Sequence, residues 1–209
     1  MEKIAHIFSF ILHPALIPTI VFSLIVVYAP SAVTYLSLEG KKTFIWLIFI
    51  STYLFPLFMV LLNSFLRHNK LSVEGLYMRK AKDRVLPFLF TGIIYTGITY
   101  LLYDTQHLNT VIYAIMACIS ITVLCLALIN IFWKISAHAA GIIGAIVYLI
   151  DIQIVFPDNL LFIPTIILIF LAGIVISSRM FLQEHTPMQI VGGVVLGIAS
   201  GLGAFMLLN

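Results

Sequence analysis

The chain is dominated by long segments in which almost every residue is apolar. A helix needs roughly 20 such residues to cross the hydrocarbon core of a bilayer, and seven windows approach or exceed that length: 7–28, 44–66, 85–103, 108–133, 135–156, 159–178 and 186–208. None shows the alternation of apolar and polar residues that is typical of membrane β-barrel strands. The pattern predicts an all-α polytopic membrane protein. We expect residues 1–209 to form a single helical bundle of about seven (six or seven) transmembrane helices.

The charged residues are too few for a soluble protein. The 209 residues are 62% hydrophobic and 9% charged, whereas roughly 25% of the residues of a soluble domain are charged. Lys and Arg number 11 and Asp and Glu 8, for a net charge of only +3, which argues against a nucleic-acid partner. We therefore expect an integral, multi-pass protein surrounded by membrane lipids, in the plasma (inner) membrane of a bacterium.

The first window contains two prolines, Pro14 and Pro18. It is longer than the apolar region of a signal peptide, and Glu2 offsets the charge of Lys3, so we interpret it as part of the mature protein. Proline inside a helix removes a backbone hydrogen bond. The sequence predicts a helix that is kinked or broken near His13-Pro14.

The basic residues predict an orientation. With seven spans, nine of the eleven fall on the face that also carries the N-terminus: Lys3, Arg67, Lys70, Arg79, Lys80, Lys82, Arg84, Lys134 and Arg179. The opposite face holds only Lys41 and Lys42. By the positive-inside rule the basic face is cytoplasmic. An anion-binding site on that face is the alternative reason for the clustering.

Two short stretches on the basic face carry candidate catalytic residues. One runs from Lys134 to His138 at the start of the fifth window, and the other has Ser178-Arg179, five residues and then His185. Helix N-termini favour anions, and arginine offers two parallel donors to a phosphate. Two histidines with these cations predict a phosphoryl pocket in which one imidazole attacks phosphorus and the other protonates the leaving group.

Each of these residues also has a structural explanation. A Lys or Arg at a membrane interface is commonly an anchor whose charged end reaches water. Ser136 is well placed as a helix N-cap. Thr186-Pro187-Met188-Gln189 fits a capping box with proline at the first helical position. Their joint placement on one face favours the phosphoryl site.

At these residues the sequence resembles the type 2 phosphatidic acid phosphatase superfamily. The second signature of that family is Pro-Ser-Gly-His, and the matching stretch here is Ile135-Ser136-Ala137-His138. Its third is Ser-Arg, five residues, His, three residues and Asp, matched here by Ser178, Arg179, His185 and then Gln189. The resemblance covers about residues 134–193, including the two helices that the family places between these motifs.

The resemblance implies a role for each matching residue. His185 would be the nucleophile that forms a phosphohistidine, and His138 would be the acid that protonates the leaving lipid oxygen. Arg179, Ser136 and the backbone near Ala137 would bind phosphate oxygens. The family mechanism uses no metal, and we expect no cofactor.

The sequence departs from the family pattern in two motifs. Gln189 replaces the aspartate that orients the nucleophilic histidine, and it supplies no charge. The first family motif, Lys, six residues and Arg-Pro, has no match in 118–133. Lys134 could stand in for its lysine, and Arg84 is our choice for the missing phosphate ligand. The alternative for Arg84 is a positive-inside flank of the third window.

Orientation is a third departure. Many family members act at the outer face of their membrane, whereas the distribution of Lys and Arg puts His138 and His185 on the cytoplasmic face. Either the phosphoryl site itself biases that distribution, or the protein acts on substrates of the cytoplasmic leaflet.

Three further features have more than one interpretation. Gly193, Gly197 and Gly201 form a row on the last helix that predicts close helix packing, within the bundle or in a homodimer. Asp151 lies inside a window and indicates an interfacial polar residue or an ion path. His6 and His13 share one helical face without a Cys or acidic companion, so we predict no metal site.

These features lead to one functional hypothesis and two alternatives. The leading hypothesis is a membrane phosphatase or phosphotransferase that acts on a lipid phosphate or a polyprenyl diphosphate. The first alternative is a catalytically weak or inactive relative that binds or moves an anionic lipid. The second is a small transporter with Asp151 in its path.

Overall fold

The computed structural model describes residues 2–33, 36–68, 81–104 and 110–208, and no strand occurs within these ranges. The all-α prediction is therefore confirmed. The helices are α1 (Glu2–Ile11), α2 (Ile17–Tyr28), α3 (Leu38–Phe49), α4 (Phe55–His68), α5 (Ala81–Asp104), α6 (Thr110–Phe132), α7 (Ala137–Val155), α8 (Phe162–Phe181) and α9 (Pro187–Leu208). A short 3₁₀ helix, Pro30–Val33, follows α2.

Six spans in the described part of the chain are long and apolar enough to cross a membrane: Leu38–Phe65, Ala81–Asp104, Thr110–Phe132, Ala137–Val155, Phe162–Phe181 and Pro187–Leu207. The first predicted window is not a seventh continuous span. It forms α1 and α2 separated by residues 12–16, with Pro18 in the first turn of α2. The break predicted near His13-Pro14 is confirmed, because Pro14 has no N–H with which to continue the helix.

A π-helical turn, Ile50–Leu54, joins α3 to α4. Pro56 lies two residues after this turn and has no N–H to donate to the carbonyl oxygen of Thr52, four residues earlier. The hydroxyl of Tyr95, on α5, donates to that carbonyl oxygen at 2.7 Å. The π turn thus supplies an acceptor through which α5 is fixed to the α3–α4 span.

The glycine row of α9 packs against α7. A Cβ at Gly193 would lie 2.5 Å from the carbonyl oxygen of Ser136, and one at Gly197 would lie 2.6 Å from that of Ala140. A Cβ at Gly201 would collide with the side chain of Val147 at 2.2 Å. The row therefore allows α7 and α9 to approach closely within the bundle. A homodimer through the same residues stays a prediction.

Helix ends from four parts of the chain meet at one end of the bundle. They are the start of α5, the α6–α7 connection, the end of α8 and the start of α9, and α1 packs against α8 beside them. Among the basic residues assigned to this face, Lys70, Arg79 and Lys80 lie outside the described residues. The cytoplasmic orientation of the face stays a prediction.

Candidate active site

A backbone hydrogen bond joins the two sequence stretches that carry the candidate histidines. The N–H of Ser136 donates to the carbonyl oxygen of Gln189 at 3.1 Å. The Ser136 hydroxyl accepts from the N–H of Ala139 at 3.3 Å, so Ser136 is the N-cap of α7, and it is fully buried. This N-cap role was one of the two explanations that the sequence offered. It fixes the start of α7 to the first turn of α9.

The side chain of Gln189 contacts His185 and also caps α9. Its Oε1 lies 3.2 Å from Nδ1 of His185 and accepts from the N–H of Thr186 at 3.2 Å. In return, the N–H of Gln189 donates to the hydroxyl of Thr186 at 3.4 Å. Because an amide oxygen only accepts, Nδ1 of His185 carries the proton. Nε2 of His185 therefore keeps a lone pair, as a nucleophile requires.

Burial and three cations keep His185 neutral. The side chain is 5% exposed, and burial is the main cause that lowers its pKa to about 3. The charges of Arg84, Arg179 and Lys134 lower this pKa further, while the hydrogen bond to Gln189 raises it. His185 is therefore a neutral imidazole at pH 7 with three cations within electrostatic range.

A tight turn after α8 places Glu184 and His185. Gln183 adopts a left-handed conformation with φ of 51°, and the N–H of Glu184 donates to the carbonyl oxygen of Arg179 at 3.2 Å. A left-handed residue just past the last turn is a common way to end a helix, although glycine is the usual choice. The turn brings Glu184 and His185 back beside Arg179.

Sequence reasoning missed the position of Glu184. Its Oε2 lies 3.6 Å from Nζ of Lys134 and 3.6 Å from a terminal nitrogen of Arg179. All three side chains are largely buried, with exposed fractions of 21% for Lys134, 12% for Arg179 and 17% for Glu184. The only indication in the sequence that Glu184 belongs to the site was its position between Arg179 and His185. A carboxylate thus lies between two of the predicted phosphate ligands.

His138 is hydrogen-bonded to α1. Its Nε2 lies 3.1 Å from the carbonyl oxygen of Ser9, and because a carbonyl only accepts, Nε2 carries the proton. The His138 ring also packs edge-on against the ring of His13, with centroids 5.9 Å apart at 78°. The charge of Arg179 also acts on His138. The first segment of the chain therefore forms part of the site.

A cavity of about 660 Å³ opens beside these residues, within the range of pockets that hold small ligands. Most of its wall is apolar. The polar groups at one end are His13, Arg84, His138 and Arg179. The dimensions and lining of this cavity suit a charged head attached to an apolar tail.

Hydroxyl groups lie at the other end of the cavity. Tyr148 is ten residues beyond His138 on α7, a rise of about 15 Å. Its hydroxyl is hydrogen-bonded to that of Ser200, which also interacts with the hydroxyl of Thr122 at 2.5 Å, and all three residues line the cavity. These three hydroxyls form hydrogen bonds with one another.

The predicted site residues fall into two sets. His138, Arg84 and Arg179 line the cavity. His185 and Lys134, like Ser136, lie outside the described cavity wall. Since the charges of Arg84 and Arg179 act on His185, the two arginines connect the sets. Arg84 is 8% exposed, which is unusual for an arginine that serves only as an interfacial anchor.

Two other predictions concern metals and Asp151. Within the part of the chain that the structure describes, no three His, Cys, Asp or Glu side chains are grouped as metal ligands would be.

Asp151 is 4% exposed, and its Oδ2 has no hydrogen-bond partner among the described residues. It does not form part of the described cavity wall.

Comparison with known families identifies the same region. The family model of the PAP2 superfamily matches residues 114–209, which contain His138, Arg179 and His185. This match confirms the resemblance to the type 2 phosphatidic acid phosphatase superfamily that the motifs predicted. No curated protein and no solved structure matches the chain. His13 and Arg84 lie outside the matched segment.

Proposed function

We propose that the protein is a membrane-embedded phosphatase or phosphotransferase that takes the phosphoryl group from a lipid phosphate or a polyprenyl diphosphate and carries it as a phosphohistidine on His185. The observation that carries this proposal is the state of His185. Its Nδ1 faces the Gln189 oxygen at 3.2 Å, its ring is neutral, and Arg84, Arg179 and Lys134 are close enough to act on it. Such a group is a nucleophile beside an anion-binding site.

The first half of the proposed reaction transfers phosphorus from oxygen to nitrogen. The Nε2 lone pair of His185 bonds to phosphorus while the bond from phosphorus to the lipid oxygen breaks. Arg84, Arg179 and Lys134 stabilise the charge on the phosphoryl oxygens, and Arg179 can offer two parallel donors. The Nδ1–H bond to Gln189 holds the ring with Nε2 directed at phosphorus.

His138 supplies the proton for the leaving lipid oxygen. Because Nε2–H is bonded to the Ser9 carbonyl oxygen, Nδ1 is the nitrogen that takes up a proton from solvent and passes it to the lipid oxygen. After transfer, the same nitrogen accepts a proton from the water that attacks the phosphohistidine. This second step releases inorganic phosphate and restores both histidines. With an alcohol in place of water, the product is a new phosphate ester.

The lining of the cavity favours a lipid substrate. Its charged end lies at Arg84 and Arg179, and its mostly apolar wall extends to Tyr148 on α7. Burying an alkyl chain is worth about 0.8 kcal/mol for each methylene group. The site would therefore hold the phosphate among cations and the tail inside the bundle.

A second candidate function is lipid binding with weak or no catalysis. Gln189 supplies no charge to stabilise a protonated His185, and Glu184 already lies between Lys134 and Arg179. A serine protease loses about 10⁴-fold in rate when its orienting aspartate becomes an amide. A transporter has less support, because Asp151 is not part of the described cavity wall.

The proposal is tested by phosphate release from purified protein in detergent. We expect release from at least one of phosphatidic acid, phosphatidylglycerophosphate and undecaprenyl diphosphate, and its loss in His185→Ala. His68→Ala, which changes a histidine that the proposed site does not use, is the matched control. An acid-labile, base-stable phosphoryl label on the wild type, absent from His185→Ala, would identify the intermediate. Release that survives His185→Ala would refute the mechanism.

A further inference from the structure

The break between α1 and α2 leaves His13 with one hydrogen-bond donor on the cavity wall. The N–H of Ala15 donates to Nδ1 of His13 at 3.3 Å, so Nδ1 is the acceptor and Nε2 carries the proton. Burial, followed by the charge of Arg179, lowers the pKa of His13 to about 4, and the ring is therefore neutral at pH 7. No described residue accepts a hydrogen bond from Nε2.

His138 presents the complementary group, a free acceptor. Its Nε2–H is bonded to the Ser9 carbonyl oxygen at 3.1 Å, so Nδ1 of the neutral ring keeps a lone pair. No described residue donates to that nitrogen. Both histidines line the cavity, and their ring centroids are 5.9 Å apart. A donor on His13 and an acceptor on His138 therefore lie side by side at the charged end of the cavity.

The spacing of the two rings fits one small hydroxyl group. Among the described residues, no hydrogen bond joins the two rings directly. Two hydrogen bonds of about 2.8 Å each through one oxygen span roughly 5 Å, which is close to the separation of the centroids. A hydroxyl group satisfies both rings, because its oxygen accepts and its hydrogen is donated. Water has this chemistry, whereas an ionised phosphoryl oxygen can only accept.

We propose that His13 and His138 together hold the water that hydrolyses the phosphohistidine. The water oxygen accepts a hydrogen bond from Nε2–H of His13 and donates one hydrogen to Nδ1 of His138, and its second lone pair faces phosphorus. This inference rests on the proposed function and deepens it, since it names the group that positions the water. His13 is then a catalytic residue of the hydrolysis, contributed from outside the segment that matches the PAP2 superfamily.

The water step balances with the groups on the page. The water lone pair bonds to phosphorus while the bond from phosphorus to Nε2 of His185 breaks, and that electron pair returns to Nε2. One water proton passes to Nδ1 of His138, where it serves the next lipid oxygen. Because the attacking and leaving groups of a phosphoryl transfer are roughly in line, the water occupies the place that the lipid oxygen has left.

Hydrolysis depends on His13 more than the first transfer does. In the first half of the reaction the lipid oxygen is held by its covalent bonds to phosphorus and to the tail. The water has no such attachment, and only hydrogen bonds fix it. The neighbours of His13 on the cavity wall, Phe10, Pro14 and Pro18, have apolar side chains that offer no substitute for the His13 N–H.

The test follows a phosphoryl label on His185. Purified protein in detergent is mixed briefly with phosphatidic acid or undecaprenyl diphosphate that carries a radioactive terminal phosphate, chased with the unlabelled lipid and quenched in base. The appearance of label on the protein measures the first transfer, and its decay during the chase measures hydrolysis. Both are rate constants from one preparation, so a smaller folded fraction of a variant changes neither.

His13→Phe keeps a ring and removes the N–H, whereas His13→Gln keeps an N–H donor. We expect the label to decay about tenfold more slowly in His13→Phe, the factor that corresponds to one hydrogen bond between uncharged groups, with its formation changed less than about twofold. His13→Gln should recover part of the loss. His6→Phe, the same change at an exposed histidine seven residues earlier, should leave both rates at their wild-type values.

Unchanged decay of the label in His13→Phe would overturn the inference. Equal slowing of formation and decay would also overturn it, because it would show that His13 only packs against His138. A wild-type protein that takes no label from either lipid, or a label that persists in His185→Ala, would instead refute the proposed function, and this inference with it.

Discussion

The side-chain oxygen of Gln189 lies 3.2 Å from Nδ1 of His185, at the position where the PAP2 signature has a carboxylate. The same oxygen accepts from the N–H of Thr186 at 3.2 Å. One amide oxygen has two lone pairs and can serve both donors. The orienting contact is thus present without the negative charge that would stabilise a protonated His185.

A carboxylate in place of the Gln189 amide should increase activity. Gln189→Glu keeps the length of the side chain and adds a charge next to His185, so we expect kcat for phosphate release to rise by about tenfold or more. The acidic limb of the pH profile should also move to higher pH, because the added charge raises the pKa of His185. Steady-state assays between pH 4 and 8 measure both effects.

Two variants separate orientation from helix capping. Gln189→Leu removes both contacts and should lower kcat, whereas Thr186→Val removes only the capping hydroxyl that accepts from the Gln189 N–H and should leave kcat close to the wild-type value. If Gln189→Glu has the activity and pH profile of the wild type, charge at this position is not what limits the rate.

The low pKa of His185 should appear as pH-dependent stability. The free side chain has a pKa of 6.5, and in the folded protein burial, followed by the three cations, lowers it to about 3. Between these values the unfolded chain binds more protons than the folded protein, so stability falls as the pH drops from 6.5 towards 3. We expect the thermal midpoint in detergent to fall over this range.

His185→Asn removes the titrating group and isolates its contribution. The variant should lose less of its thermal midpoint than the wild type between pH 7 and pH 4. Parallel pH dependence in the wild type and His185→Asn would show that folding does not lower the pKa of His185.

Removal of the Glu184 charge should tighten phosphate binding. Glu184 shares Lys134 and Arg179 at 3.6 Å each and therefore competes with an incoming anion for both. We expect Glu184→Gln to lower the dissociation constant of inorganic phosphate about fivefold, the factor that corresponds to a weak ion pair. Titration calorimetry at two salt concentrations measures this change, which should shrink at high salt.

Glu39→Gln is the matched control for Glu184. It breaks another ion pair, with Lys42 at 2.8 Å, that is largely exposed and outside the proposed site, and phosphate binding should not change. Weaker phosphate binding in Glu184→Gln would mean that Glu184 holds Lys134 and Arg179 in place and does not compete with phosphate.

The contact between α7 and α9 should be intolerant of added volume. A Cβ at Gly197 would meet the Ala140 carbonyl oxygen at 2.6 Å and the Gly144 nitrogen at 2.9 Å, both of them backbone atoms, whereas one at Gly173 on α8 meets nothing within 4 Å. We expect Gly197→Ala to cost about 1–3 kcal/mol and to lower the thermal midpoint. Gly173→Ala should be neutral or stabilising, since alanine favours a helix. Equal midpoints for the two variants would contradict the close packing.

The sequence predicted the parts of the fold that depend on local patterns. Continuous apolar windows identified the membrane helices, and Pro14 identified the break after α1, because both signals act within a few residues. The spacing of Arg179 and His185 and the charge of Arg84 identified residues that the structure places within electrostatic range of one another.

The remaining features depend on contacts between distant segments. The bond from His138 to the Ser9 carbonyl requires α1 to lie over the start of α7, and nothing in an apolar helix specifies that partner. The ion pairs of Glu184 depend on the turn at Gln183, a residue that seldom adopts a left-handed conformation. The sequence offered a capping role and an orienting position for Gln189, and its oxygen accepts a hydrogen bond for each.

α7 and α9 are joined by the hydrogen bond from Ser136 to Gln189 and by the close packing of the glycine row. The two candidate histidines, His138 and His185, lie at the starts of these two joined helices. The contact that orients His185 lies at the start of α9, whereas the contact that orients His138 comes from Ser9 on α1. The two halves of the site are thus fixed by different segments of the chain.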